Sequence, residues 1–374
     1  MLGLLILMSF YLYQSGSLNR ALSSFSLLFH RSNQLIQQSS IGAFTTGDNR
    51  IQAFFTTPSL IYPDRREQRG TSPLLSALIA DVNAAKTSVA VASFDFDIRE
   101  FTDALIQARR RGVTIRVIVD SENLDTPEVS RQTGRLQAAG IAVHFDHREP
   151  FMHNKFVVVD ETVAWTGSWN ITVNDTWRNN NNMLRFASRA VAADYLHEFE
   201  QMFAGRFGTR KISDTPSPRV QVGAAHVEVY FSPQDGVANH VLQRLAAATR
   251  SIHFMTFSYT SDPIATTMIK KAQAGVLVQG VFETQNAHGS GSQFDRLKQG
   301  GVEVLEDGNC YILHHKVMVL DDRTVITGSY NFTSSAEQDN DENLVIVDDP
   351  ALARAYLDEF ARVYAEALNP MRCS

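Results

Sequence analysis

Apolar residues recur at helical spacing over residues 74–86 and 101–111, and a glycine follows the second stretch, whereas residues 89–94 and 113–119 form short apolar runs rich in valine and isoleucine. Runs of that length, with little polar alternation, predict strands covered on both faces. The same reading predicts a helix near 129–139, strands at 141–145, 155–159 and 162–167, and a closing helix near 190–203. Helices alternating with such strands predict an α/β sandwich with a mixed, largely parallel sheet.

The pattern then repeats. Ser88-Val-Ala-Val-Ala-Ser-Phe94 corresponds to Ser251-Ile-His-Phe-Met-Thr-Phe257, and Tyr195-Leu-His-Glu-Phe199 corresponds to Tyr356-Leu-Asp-Glu-Phe360, at a spacing of 161 to 163 residues. The expected organisation is therefore a lead-in over 1–50, a first lobe over 51–205, a linker over 206–224 and a second lobe over 225–374. The two lobes are expected to be tandem α/β/α sandwiches related by a pseudo-twofold axis.

Inside each copy lies one constellation with identical spacing: His153-x-Lys155, Asp160 and Gly167-Ser168-x-Asn170, then His314-x-Lys316, Asp321 and Gly328-Ser329-x-Asn331. A His and a Lys two positions apart on a strand share a face, which pairs an imidazole with a fixed cation. Cleaving a phosphodiester with a protein nucleophile needs an attacker, an acid for the leaving oxygen and fixed donors for the phosphoryl oxygens. Two His-Lys pairs brought together supply all three: one imidazole attacks phosphorus, the other protonates the departing alcohol, and Lys155, Lys316, Asn170 and Asn331 hold the oxygens. Asp160 and Asp321 fit better as turn residues, and Ser168 and Ser329 are supporting donors or the companions of a tight glycine position.

Composition narrows the choice of substrate. A formal net charge of -6 and a pI near 6.0 do not form the basic footprint of a protein that binds nucleic acid over its whole surface. Arg65, Arg66, Arg69, Arg178 and Arg185 would make a basic groove only if they cluster in space. Trp169, Tyr259, Tyr330 and Phe332 lie beside the motifs, as lipid contacts or as core. Two cysteines, Cys310 and Cys373, are too few for a disulfide framework, and Cys310 reads as a buried, inert thiol. His315 reads as structural and His253 as a core histidine. The apolar run at residues 1–13 has the length of a signal-peptide core rather than of a membrane span, so export or membrane association is expected. No Cys/His cluster with metal spacing and no cofactor motif is present in the sequence.

These residues resemble the duplicated HxKxxxxD and GSxN signatures of the phospholipase D superfamily, over roughly residues 51–370. The resemblance implies a two-lobed fold with one active site at the lobe interface, and metal-independent transfer through a phosphohistidine. The implied substrates range from phospholipids to DNA and RNA. It places His153, His314, Lys155, Lys316, Asn170 and Asn331 on catalytic and phosphate-binding positions. It also matches Glu342, twenty-eight residues after His314, to a carboxylate that bonds the far nitrogen of the catalytic imidazole; the same offset from His153 gives Asn181. Pairing each group with the histidine of its own copy makes His314 the stronger base and His153 the readier acid. Family precedent makes His153 the nucleophile, and that assignment is kept. A phospholipid at a membrane surface is the expected substrate, a nucleic acid the alternative, and a non-catalytic binding scaffold the third reading. A monomer is expected, since one chain carries both motifs.

Overall fold

The computed structural model describes residues 42–56, 62–370 and 373, so the apolar run at 1–13 and the lead-in as far as residue 41 lie outside the described residues. Among the described residues each lobe is built on an eight-stranded sheet. In the first lobe, β1 (Ala43–Thr45), β2 (Ile51–Phe55), β3 (Ser88–Ser93), β4 (Thr114–Val119), β5 (Ala142–Phe145), β6 (Lys155–Val159), β7 (Val163–Gly167) and β8 (Asn182–Ala187) lie in the order β1-β2-β8-β7-β6-β3-β4-β5. In the second, β9 (Arg219–Val222), β10 (Ala225–Ser232), β11 (Ser251–Thr256), β12 (Leu277–Phe282), β13 (Glu303–Glu306), β14 (Lys316–Leu320), β15 (Thr324–Gly328) and β16 (Glu342–Asp348) repeat that order.

The sheets are mixed as expected, but parallel pairing is confined to β3-β4-β5 and β11-β12-β13, and every other neighbouring pair is antiparallel. The reason is local. Strands joined through the helices Arg99–Arg110 and Pro127–Ala138 cross over and stay parallel, whereas β6 and β7 are joined by a short turn that must reverse the chain. That turn holds Asp160 and Glu161 at φ 50° and 56°, and its counterpart holds Asp321 and Asp322 at 52° and 57°.

Two boundaries move. Residues 43–45 pair with 52–54, so the first lobe begins before residue 51 rather than after a lead-in ending at 50. Arg219–Val222 pairs with β10, so the end of the expected linker is already sheet. The cysteines are also corrected: Cys310 and Cys373 form a disulfide, bringing together residues 63 apart in sequence that no spacing motif connects.

The closing helices set the relation between the lobes. Arg189–Phe203 starts where the Ser188 hydroxyl accepts from the Val191 N–H, and Pro350–Leu368 starts at Asp349, whose carboxylate accepts from Leu352 N–H with Pro350 in the first turn. Their apolar stripes, Val191, Ala192, Tyr195, Phe199 and Met202 in one and Leu352, Ala353, Tyr356, Phe360 and Val363 in the other, are buried in a single core shared with both sheets. At about 1.5–3 kcal/mol for each large apolar side chain buried, this shared layer fastens the lobes together. The outer helices form a separate core on the far face of each sheet. The carboxyl end of β3 and the starts of β6 and β14 thus meet at one interface.

Candidate active site

The two motifs meet through backbone hydrogen bonding across the lobes. Met152 bridges Asp341 and Leu313 bridges Asn180, each in parallel, and the His314 N–H donates to the Asn180 carbonyl at 2.9 Å. Each histidine therefore stands beside the strand start of the other lobe. His153 Nδ1 donates to Glu342 Oε2 at 2.7 Å, and His314 Nδ1 bonds Asn181 Oδ1 at 2.8 Å. A carboxylate only accepts, so Nδ1 of His153 carries the proton and Nε2 is left with its lone pair.

This pairing reverses the expected one. The 28-residue offset correctly marks Glu342 and Asn181 as equivalents, but the imidazole each one faces belongs to the opposite lobe. The stronger base is then His153, which faces the carboxylate, and His314 faces the neutral amide.

The partners are themselves held. Ser329 Oγ donates to Glu342 Oε2 at 2.7 Å, and Ser168 Oγ donates to Asn181 Oδ1 at 2.9 Å, each serine also accepting the N–H of the residue after that partner. The preceding glycines are required: a Cβ on Gly167 would lie 2.2 Å from the Asn182 carbonyl, and one on Gly328 2.3 Å from that of Asn343. Behind them, Asn343 binds Thr166 at 2.6 Å and Asn154 at 2.8 Å, and Asn182 binds Thr327 and Tyr356, both at 2.9 Å, again across the lobes. His315, buried between Asn182 and Glu359, belongs to this scaffold.

Lys155 and Lys316 are 1% exposed, and each ammonium donates to the carbonyl of its motif histidine, at 2.9 and 3.0 Å. Burial pushes Lys155 down to about 8 and, together with Lys155, holds Lys316 well below the usual lysine range. Burial also lowers His153 to about 4 against the opposing pull of Glu342, and burial with Lys316 and Lys155 drives His314 well below the ordinary histidine value. Four basic groups buried together disfavour one another's charge, and an anion placed among them would reverse that. The side-chain oxygens of Asn170 and Asn331 are buried without a protein partner.

Asp160 and Asp321 do not reach this pocket. Asp160 accepts from the backbone N–H groups of Lys86, Thr87 and Ser88, and Asp321 from those of Thr249, Arg250 and Ser251. Partial burial opposes ionisation of both, but these donors outweigh it and keep both carboxyls below the ordinary aspartate value.

Trp169, Tyr259, Tyr330 and Phe332 are all buried in the cores and are not substrate contacts. The aromatics at the site are others, Phe94 and Phe257. Their ring centroids lie 5.0 and 4.9 Å from His153 and His314, with Lys155 and Lys316 over their faces, and both are partly exposed, as is Phe151 beside Phe94. They end the runs 89–94 and 252–257, where strand periodicity marks them as core.

The five arginines do not form one groove. Arg69 and Arg178 both donate to Asp64, at 3.0 and 2.9 Å, in a loop anchored on Tyr311, whereas Arg185 is paired with Asp81 at 2.7 Å on the outer helix Pro73–Ala84. Arg65 and Arg66 are exposed. Sequence reasoning also missed Asp175, whose Oδ2 lies 3.4 Å from His314 Nδ1. Its equivalent in the second copy, Ala336, carries no chemistry, so the repeat did not flag it.

Comparison with known proteins gives the same picture twice along the chain. The family model described as "Cardiolipin synthase, PLD-like domain" matches residues 78–203 and again 241–364. Phospholipase D of Rickettsia bellii is 30% identical over 156 residues, 40% of this chain and 78% of that protein. The human mitochondrial cardiolipin hydrolase is 33% identical over 138 residues, 37% of this chain and 54% of its own length, so the match spans little more than half of that relative. Among solved structures, the phosphatidylserine synthase of Haemophilus influenzae superposes with a TM-score of 0.63 at 12% identity, covering 90% of this chain and 93% of that one, a likeness of fold across both lobes.

Proposed function

The chain belongs to the phospholipase D-like family and is a phosphodiester hydrolase, and from this premise we propose that it cleaves phospholipids in two metal-independent steps through a phosphohistidine on His153. The observation that carries the proposal is the cross-lobe bond from His153 to Glu342. A neutral imidazole with its Nδ1 proton shared with a buried carboxylate is a competent nucleophile at Nε2, because the positive charge that develops on attack is met where it forms.

In the first step the Nε2 lone pair of His153 forms a bond to phosphorus, the bond from phosphorus to the headgroup oxygen breaks, and His314 gives a proton to that oxygen. Lys155 and Lys316 hold the non-bridging oxygens, and the Asn170 and Asn331 amides add neutral donors. In the second step His314, now unprotonated, takes a proton from water, whose oxygen displaces His153 from phosphorus. An alcohol in place of water would give transfer rather than hydrolysis by the same geometry.

Three observations support a lipid as the diester. The relatives named above act, by name, as a phospholipase and a cardiolipin hydrolase. The histidines are flanked by the partly exposed rings of Phe94, Phe151 and Phe257. Of the arginines that would make a nucleic-acid groove, Arg69 and Arg178 are neutralised by Asp64 and Arg185 by Asp81 on the outer helix. Work outside the reducing cytosol, as a monomer at a membrane surface, belongs to the same proposal, supported by the disulfide between Cys310 and Cys373 and by the apolar run at 1–13. The test is headgroup release from phosphatidylcholine and cardiolipin vesicles against cleavage of single-stranded DNA, each with excess chelator and with His314→Ala as control. Lipid cleavage that survives chelation and is lost in the variant is the expected result; cleavage of DNA alone would overturn the lipid reading.

A further inference from the structure

The two halves of the site differ in where they carry negative charge. On the side of His153 the carboxylate is Glu342, directly bonded to the ring. On the side of His314 the equivalent position holds Asn181, an acceptor without charge. In that same half, and there alone, the equivalent of a plain alanine, Ala336, is an aspartate. Asp175 is buried, and its Oδ2 lies 3.4 Å from His314 Nδ1, behind the shorter bond from that nitrogen to Asn181.

Asp175 is built into place rather than left to drift there. It lies in the short helix Val173–Trp177, begun by Thr172, whose hydroxyl accepts from the Asp175 N–H at 3.1 Å. Its Oδ2 accepts from the Asn170 N–H at 2.7 Å, and its Oδ1 accepts from Asn179 Nδ2 at 2.6 Å. Asn181 is fixed by the same residue, since its Nδ2 donates to the Asp175 carbonyl at 3.3 Å, which turns the amide oxygen toward His314. Asp175 thus orients the neutral acceptor with its backbone and adds a charge with its side chain.

We infer that Asp175 is a positioning residue that supplies His314 with the negative charge position 181 lacks, so that His314 carries the proton delivered to the leaving alcohol. This rests on the reading of His153 as nucleophile and His314 as acid. A carboxylate on the Nδ1 side of an imidazole, bonded as Glu342 is or 3.4 Å away as Asp175 is, favours the protonated ring and leaves the Nε2 proton free to be transferred. The charged and titratable groups around His314 are His315 and Lys316 on its own segment, Lys155 and His153 from the first lobe, and Asp175. Among the described residues, His315, Lys316, Lys155 and His153 oppose a proton on this imidazole, the pocket's other carboxylate, Glu342, is bonded to His153, and Asp175 is the carboxylate set beside His314 Nδ1.

The test compares two synthetic diesters, one with a 4-nitrophenolate leaving group that departs without protonation and one with an aliphatic alcohol that needs it, in wild type, Asp175→Asn, Asp175→Ala, and the double variant Asp175→Ala/Asn181→Glu. The substitution Asp175→Asn is expected to slow the alkyl ester about 10- to 100-fold and the nitrophenyl ester by less than about 3-fold, and to move the alkaline limb of kcat/KM to lower pH. The double variant, which places the carboxylate as Glu342 is placed, should recover much of the alkyl-ester rate lost in Asp175→Ala alone. Equal loss on both esters, or no loss on either, would overturn the inference, and unchanged melting temperature in Asp175→Asn separates the chemistry from misfolding. Mapping the trapped phosphate in wild type keeps the two readings apart. Phosphate on His314 would remove the underlying assignment, whereas phosphate on His153 with a wild-type pH profile in Asp175→Asn would remove this inference alone.

Discussion

Glu342 of the second lobe accepts a hydrogen bond at 2.7 Å from His153 of the first, across 189 residues of sequence. Neither motif copy is a complete catalytic unit, because each histidine takes its orienting partner from the other lobe. Glu342→Gln keeps the shape and an acceptor but removes the charge that meets the imidazolium formed on attack. It is expected to lower kcat about 100-fold with little change in KM, and to slow the appearance of phosphoenzyme in rapid-quench measurements by the same factor.

The crowded basic groups make anion binding and proton uptake one event. Lys155 is pushed down to about 8 and His153 to about 4 because burial disfavours their charged forms. A bound anion favours those forms, so the depressed values rise toward ordinary ones and protons are taken up near pH 7. Titration calorimetry with sulfate, which does not itself titrate, should show a binding enthalpy that varies with the ionisation enthalpy of the buffer, in the sense of uptake. No buffer dependence would contradict this account of the pocket.

The motif aspartates are structural. Asp160 gathers three backbone N–H groups and the Thr87 hydroxyl, and Asp321 does the same with Thr249 as the hydroxyl donor. Asp160→Ala or Asp321→Ala should cost about 2 kcal/mol of stability, seen as a lower denaturation midpoint, because several donors lose their acceptor. The kcat of the folded fraction is expected to stay within about 3-fold of wild type.

The Cys310–Cys373 disulfide closes 63 residues and ties residue 373 to the loop carrying Tyr311, which precedes His314. In the chain-entropy picture a closure of that length contributes about 4 kcal/mol. Reduction, or Cys310→Ser with Cys373→Ser, should lower the melting temperature by several degrees, measured by scanning calorimetry with and without reductant.

Much of this was legible before the fold was known. The alternation around residues 89–94 and 113–119, the repeat and the doubled motif led to two α/β lobes with one site between them. What stayed hidden depends on contacts made over long stretches of chain. A 28-residue offset shows that Glu342 and Asn181 are equivalent, yet the lobe each one faces is set by the shared core of the closing helices. Asp175 was invisible because its counterpart is Ala336, and comparing repeats reveals what is kept rather than what one copy adds. Phe94 and Phe257 look like the last residues of buried strands, and only the convergence of strand ends at the interface leaves them partly exposed. The sheet holds less parallel pairing than alternating helices and strands predict, because the tight turn at Asp160 and Glu161 reverses the chain and leaves β6 and β7 antiparallel.

The proposed mechanism differs from its alternative in which imidazole carries the phosphoryl group. Quenching the wild-type enzyme with detergent at alkaline pH, where the nitrogen–phosphorus bond survives, during turnover of a phosphate-labelled phospholipid, followed by proteolysis at neutral to alkaline pH and mass spectrometry, locates it directly. Label on the peptide containing His153, absent in His153→Asn and slower to form in Glu342→Gln, is the predicted result. Label on the peptide containing His314 would contradict it.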